Sequence, residues 1–153
     1  IKKKYKRVKF KLIGPRDYSL NKIDYDYILI NHKNKIINYL GFCKDVRPHI
    51  TKSHVYVLPS YHEGLPRSVL EAMSMQRPII TTNAPGCKET VVHGVNGFKV
   101  PKKNINELYK KMLWFIQNKR KLKKMGEMGR KIVETKFSND KINNKLIKII
   151  LKN

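Results

Sequence analysis

The sequence predicts an α/β protein built on a doubly wound, mostly parallel sheet, with helices on both faces and a helical C-terminal tail. Two observations carry this expectation. Short runs rich in Ile, Val, Tyr and Thr alternate with longer stretches whose apolar residues recur at helical spacing, the pattern of successive βα units. Two of the runs, Val55-Tyr56-Val57-Leu58-Pro59 and Pro78-Ile79-Ile80-Thr81-Thr82, are apolar almost throughout, as in strands covered on both faces.

Val8 to Ile13 alternates and stops at Gly14-Pro15, which reads as a strand and a turn. Between Ser19 and Asn34, Ile23, Tyr27 and Ile30 recur at helical spacing. Ile36 to Leu40 is a short strand stopped by Gly41. Asp45 to Ser53 fits a short helix with Asp45 as its cap and Pro48 near its start. After the strand at Val55, a helix is expected from Pro66 to about Met75. The strand at Pro78 follows, then a short helix over Lys88–Val92, a turn at His93–Gly97 and a last strand, Phe98–Pro101. The remainder is helical. Asn104 caps a helix carrying Leu108, Met112, Phe115 and Ile116; Lys119–Lys136 and Asp140–Leu151 continue the pattern. Trp114 and Phe115 sit on an apolar stripe and are expected to pack in a core or against another domain.

The chain has 153 residues and is 41% hydrophobic, enough for one domain with a sizeable core and too apolar for a disordered chain. No apolar run approaches the ~20 residues needed to span a bilayer. The basic start, Ile1 to Arg7, is followed by no apolar stretch of the kind a signal peptide needs. Cys43 and Cys87 form no C-x-x-C pair and no zinc pattern with the histidines, and both are expected reduced, in a cytoplasmic protein. Lys and Arg number 34 against 11 Asp and Glu, a formal charge of +23. Two explanations are open: an anionic partner, or a Lys-rich composition scattered over loops and helix faces. Lys far outnumbers Arg, whereas base readout favours Arg forks, so an anionic membrane surface is the better partner and no nucleic acid is expected.

Chemistry concentrates in Tyr61-His62-Glu63-Gly64-Leu65-Pro66-Arg67-Ser68-Val69-Leu70-Glu71. In a doubly wound sheet ligands bind beyond the carboxyl ends of strands, and this segment follows directly on the strand at Val55. Gly64 has no Cβ and admits close approach of a ligand to the backbone. Pro66 at the helix start leaves the amides of the first turn facing outward, where the helix dipole favours an anion such as a diphosphate. Glu63 can accept hydrogen bonds from sugar hydroxyls, and Glu71 those of a ribose. The rival reading makes Ser68-x-x-Glu71 a capping box with a merely structural acid. Glu63 can equally be an ordinary exposed acid, and His62 a bystander at the edge.

Several segments then occur in order: Gly41-Phe42…Asp45-Val46, Val55 to Ser60, Glu63-Gly64-Leu65-Pro66…Glu71-Ala72-Met73, Arg77 to Thr82, Pro85-Gly86-Cys87-Lys88-Glu89 and Gly94-Val95-Asn96-Gly97-Phe98. From about Phe10 to Phe137 the chain resembles the donor-binding half of glycosyltransferase family 4, retaining enzymes of the GT-B fold. The Pro85 segment resembles bacterial transferases that build polysaccharide, O-antigen or lipid-linked oligosaccharide. The resemblance implies a Rossmann-like donor domain over residues 1–137, incomplete at its N-terminus. Residues 138–153 would form a C-terminal helix crossing to an acceptor half that this chain lacks. It implies that Glu63 is the acid beside the donor sugar, positioning it and stabilising charge without attacking it. Glu71 would hold the ribose, and the amides of Gly64, Leu65 and Pro66 would approach sugar and phosphates. The segment Phe42, Lys44, Asp45 and Val46 would lie beside the base, with Gly14 ending the strand that enters the nucleotide site. The donor is expected to be a UDP-sugar and the acceptor a glycan or lipid-linked glycan. The leaving diphosphate would assist deprotonation of the acceptor. The resemblance implies neither a metal nor a cofactor.

The expected protein is thus a hexosyltransferase acting in the cytoplasm or on the inner face of the membrane. The isolated chain, lacking the acceptor half and the family's phosphate-binding Arg and Lys, is expected to bind nucleotide sugar weakly and transfer nothing. The alternatives are a non-catalytic basic module for nucleic acid or an anionic membrane, and a GT-B epimerase.

Overall fold

A computed structural model describes residues 1–16, 18 and 24–138. The chain divides into two compact units, Ile1–Val46 and Arg47–Asn153. In the first, β1 (Lys11–Leu12) and β2 (Asn38–Tyr39) pair in parallel across helix α1 (Tyr25–Lys33). Backbone bonds from Asn38 N to Phe10 O, Leu40 N to Leu12 O and Gly14 N to Gly41 O carry the pairing beyond the strands themselves. Asp24 caps α1 by accepting from Asp26 N at 3.0 Å. Residues 19–23, which the expected helix included, lie outside the described residues, as does the whole of the expected helix Asp140–Leu151.

The second unit begins with α2 (Arg47–Thr51), inside the expected span Asp45–Ser53. Then come β3 (Tyr56–Leu58), α3 (Arg67–Ser74), β4 (Ile79–Thr82), β5 (Gly97–Val100), α4 (Ile105–Gln117) and α5 (Lys119–Lys136). The three strands are parallel in the order β3-β4-β5, with Val57, Ile80 and Phe98 in register. Side chains alternate along a strand, so these three share one face. There they meet Val100 and the α4 residues Leu108, Met112 and Phe115, with Met125 of α5. Phe98, Trp114 and Phe115 stack at 4.8–5.3 Å between ring centroids, so the aromatic stripe is core, as its spacing predicts. Tyr56 and Ile79 face the other way, toward α3, whose Val69, Ala72 and Met73 are fully buried. All four residues of β4 are buried, as befits a central strand covered on both faces.

α5 packs against α3, and at the turn that ends α3 no side chain separates the two backbones. A Cβ on Gly126 would overlap the carbonyl of Gln76, whose carbon lies 2.7 Å from that position. Arg130 Nη1 donates to Ser74 O at 3.2 Å nearby. Asn104 caps α4, its side chain accepting from Glu107 N at 2.9 Å.

One expected element does not form. Residues 88–90 are turn and 91–92 irregular, not a helix. Asn96, fully buried, intercepts their backbone: its Oδ1 accepts from Val92 N at 2.8 Å and its Nδ2 donates to Thr90 O at 3.1 Å. Bonds to a side chain replace the i→i−4 ladder a helix would need.

Candidate active site at the carboxyl edge of the parallel sheet

The carboxyl ends of β3, β4 and β5 lead into the loops 59–66, 83–87 and 101–104. The first loop is fastened at both ends. Thr82 Oγ1 donates to Ser60 O, and Thr81 Oγ1 donates to Leu58 O at 2.9 Å. Ser60 Oγ then donates to His62 O at 3.0 Å, and Glu63 N donates to Pro85 O at 3.1 Å. Pro66 is buried and closes the turn. The third loop joins the same edge: Asn83 N donates to Val100 O at 2.8 Å, and Lys103 Nζ stands 5.9 Å from the centre of the Tyr61 ring.

Helix α3 begins immediately after the turn. Pro66 occupies the cap position with extended backbone, makes no side-chain cap bond, and no acid lies in the first turn. Ser68 is inside the helix rather than at its cap, which removes the capping-box reading of Glu71. Pro66 also carries no N–H, so the expectation that its amide meets a ligand is corrected. The amide donors available to the turn are those of Gly64 and Leu65, together with Arg67 and Ser68 at the helix start. With Arg67 as the first helical residue, this end of α3 is doubly positive, by dipole and by side chain.

Gly64 has ordinary backbone, and a Cβ there would meet nothing within 4 Å. Neither conformation nor packing demands glycine at this position; open space above its backbone is what the missing side chain leaves. Glu63 is half-buried and Glu71 exposed, one turn into α3 and three residues beyond Ser68, so Ser68 and Glu71 share a helix face. Tyr56 projects from β3 toward that face. Burial, followed by the nearby charges of Glu71 and Glu63, holds its pKa above the ordinary tyrosine value. Sequence reading did not single out Tyr56; the period-2 alternation that turns it toward α3 was the available signal.

In the first unit, Gly14 meets Gly41, the residue that leads into the Phe42–Val46 segment. Gly14 N donates to Gly41 O at 2.9 Å, and Tyr39 hydroxyl donates to Gly14 O at 3.0 Å. Gly41 adopts φ +66°, and Phe42 beyond it is 74% exposed. Lys44 and Asp45 are exposed and Val46 half-buried. Cys43 and Cys87 are not joined in a disulfide, the first half-buried and the second buried.

Parallel βα units covered on both faces, with an acidic turn at a helix start beyond a strand's carboxyl end, define a Rossmann-like domain of the kind that forms one half of a GT-B glycosyltransferase. The chain matches the model of the group 1 glycosyl transferases over residues 1–118 and belongs to that family. It is 32% identical over 133 residues to the capsular polysaccharide biosynthesis glycosyltransferase CapM of Staphylococcus aureus, covering 86% of this chain and 34% of CapM. Anabaena HepE, solved in complex with UDP, superposes with a TM-score of 0.82 at 24% identity, covering 95% of this chain and 41% of HepE. The C-terminal domain of the group 1 family protein LpcC from Francisella tularensis superposes with a TM-score of 0.76 at 26% identity, covering 90% of this chain and 74% of that one. The chain spans about a third of the length of the curated relatives it matches.

Proposed function

We propose that this chain is the donor-binding part of a retaining glycosyltransferase of family 4. The reaction would move a hexose from a UDP-sugar to a glycan or lipid-linked acceptor in cell-surface polysaccharide synthesis. The observation that carries the reading is the turn 63–66. It presents an open glycine backbone and an uncapped, acid-free helix start, with Glu63 beside it and Glu71 one helical turn beyond. Amides and dipole suit a diphosphate, and carboxylates suit the hydroxyls of a sugar and a ribose. CapM acts in capsular polysaccharide biosynthesis by name, and HepE was solved with UDP, which supports the substrate class.

In this reading Glu63 orients the donor sugar and Glu71 holds the ribose. Gly64 and Leu65 donate to the diphosphate from the backbone. Phe42, Lys44, Asp45, Val46 and Gly14 are proposed as base-side contacts. Because the chain spans about a third of CapM, transfer is proposed to need the rest of such a protein. Exposed Lys119, Arg120, Lys121, Lys123 and Lys124 at the start of α5 suit an anionic membrane surface, where a lipid-linked acceptor would reside.

Titration of the chain with UDP, followed by NMR, tests the reading. Glu71→Gln is expected to weaken binding by about tenfold or more, the worth of a charge-assisted hydrogen bond pair. Unchanged UDP affinity in that variant, or steep salt-dependent binding of a polynucleotide in its place, would refute it. Robust sugar transfer by the isolated chain would refute the need for a second half.

A further inference from the structure

Gly86 lies under the acidic turn. Its φ is +78°, and a Cβ placed on it would overlap the carbonyl oxygens of Glu63 and Gly64 and stand 2.6 Å from the Glu63 carbonyl carbon. The loop that carries it is fixed. Ala84 and Cys87 are fully buried. Lys88 N donates to Ala84 O at 2.9 Å, and Thr90 Oγ1 donates to Cys87 O at 2.7 Å. Pro85 O holds the Glu63 amide from the same loop. By contrast Tyr61, His62, Gly64 and Leu65 are exposed. The turn therefore rests on the loop, and its height above the sheet edge is set by what residue 86 lacks.

We infer that Gly86 is a positioning residue for Glu63, acting through the Glu63–Gly64 peptide it supports. The inference rests on the donor-binding reading above and assigns the β4–β5 loop a part in donor selection. Glu71 is carried by α3 and does not depend on this contact. A side chain at 86 would push the turn outward by about 1 Å to reach ordinary carbon–carbon separation. Such a shift displaces the acid assigned to the sugar while leaving the acid assigned to the ribose in place.

The experiment compares UDP with UDP-glucose, titrated by NMR against the wild-type chain, Gly86→Ala, Gly86→Asn and Gly94→Ala. Gly94 has a similar φ of +81° but open space at its Cβ position, so it controls for backbone strain alone. In Gly86→Ala the ratio of the UDP-glucose Kd to the UDP Kd is expected to rise about tenfold or more, since misplacement by about 1 Å costs up to about a hundredfold. UDP also meets the displaced Gly64 and Leu65 amides and is expected to weaken too, but by less than UDP-glucose, which loses the Glu63 contact in addition. Gly86→Asn should behave like Gly86→Ala, because Asn tolerates positive φ yet still carries a Cβ. An unchanged ratio, an equal loss for both ligands, rescue by Asn, or the same ratio change in Gly94→Ala would each overturn the inference. Should Gly86→Ala fail to fold, wild-type hydrogen exchange decides. The Glu63 amide is expected to share the protection of the Asn83 amide, and free exchange at Glu63 beside a protected Asn83 overturns the inference. If the wild-type chain binds neither ligand, or Glu71→Gln leaves UDP binding intact, the donor-binding reading itself has failed.

Discussion

Asn96→Asp is a nearly isosteric change with a large predicted cost whose pH dependence identifies its cause. The Asn96 side chain is fully buried, accepting from Val92 N and donating to Thr90 O. An aspartate keeps the first bond. At the second it places a carboxylate oxygen against the Thr90 carbonyl. Burial and that repulsion raise its pKa, so the fold must hold it protonated, as an O–H donor to Thr90 O. Keeping it neutral at pH 7, against an unfolded value of about 3.9, costs about 4 kcal/mol; at pH 4.5 the cost is about 1 kcal/mol. The sign follows from the raised folded-state pKa: the stability is present below the unfolded value and is lost as pH rises toward the folded one. We predict that urea denaturation followed by circular dichroism will show the variant close to wild type at pH 4.5 and about 3 kcal/mol further behind at pH 7. Asn96→Ala leaves two buried backbone groups unpaired at about 1–3 kcal/mol each, with no pH dependence. A constant difference between Asn96→Asp and wild type across this range, or equal stability at pH 7, would refute the reasoning.

Three further outcomes are expected. Gly64→Val should change the melting temperature little, since its Cβ position is open, yet weaken nucleotide-sugar binding about tenfold or more; unchanged affinity would show that no ligand passes over this backbone. Tyr56→Phe should flatten the alkaline limb of stability. The wild-type phenol titrates above its unfolded value of about 10, so its contribution is full below that pH and lost as pH rises through the folded value. Thermal melts between pH 8 and pH 11 with identical limbs would contradict it. Gln at Lys119, Lys121, Lys123 and Lys124 should reduce co-sedimentation with phosphatidylserine vesicles, by up to about 1 kcal/mol per lysine near the surface; binding that is unaffected, or equal on neutral vesicles, would exclude this face.

The strand–helix alternation was legible because each element carries its own period. The all-apolar runs at 55 and 78 became β3 and β4, and Asn104 caps α4 as its position suggests. The missing helix at 88–92 was not legible. Its local residues permit a helix, and the competitor is a side chain at 96 that only the folded turn brings back. The acidic turn could be found in the sequence, but not its support. Gly86 reads as an ordinary turn glycine until the Glu63 and Gly64 carbonyls are seen beneath the space its side chain would need. Tyr56 likewise passes for one more apolar strand residue until register and alternation turn it toward α3 and the charges of Glu71 and Glu63.

The contact between Gly126 and Gln76 joins main chain to main chain. Packed side chains yield to a push by changing rotamer; bare backbones have no such slack, since neither has a rotamer to change. α5 is therefore held against the turn that follows α3, two residues past the end of the helix that carries Glu71. A tilt of α5 is expected to move the main chain just beyond α3 directly, with no side chain between to absorb it. Gly126→Ala is the way to break that contact, and its effect would be read first in the amide chemical shifts of α3.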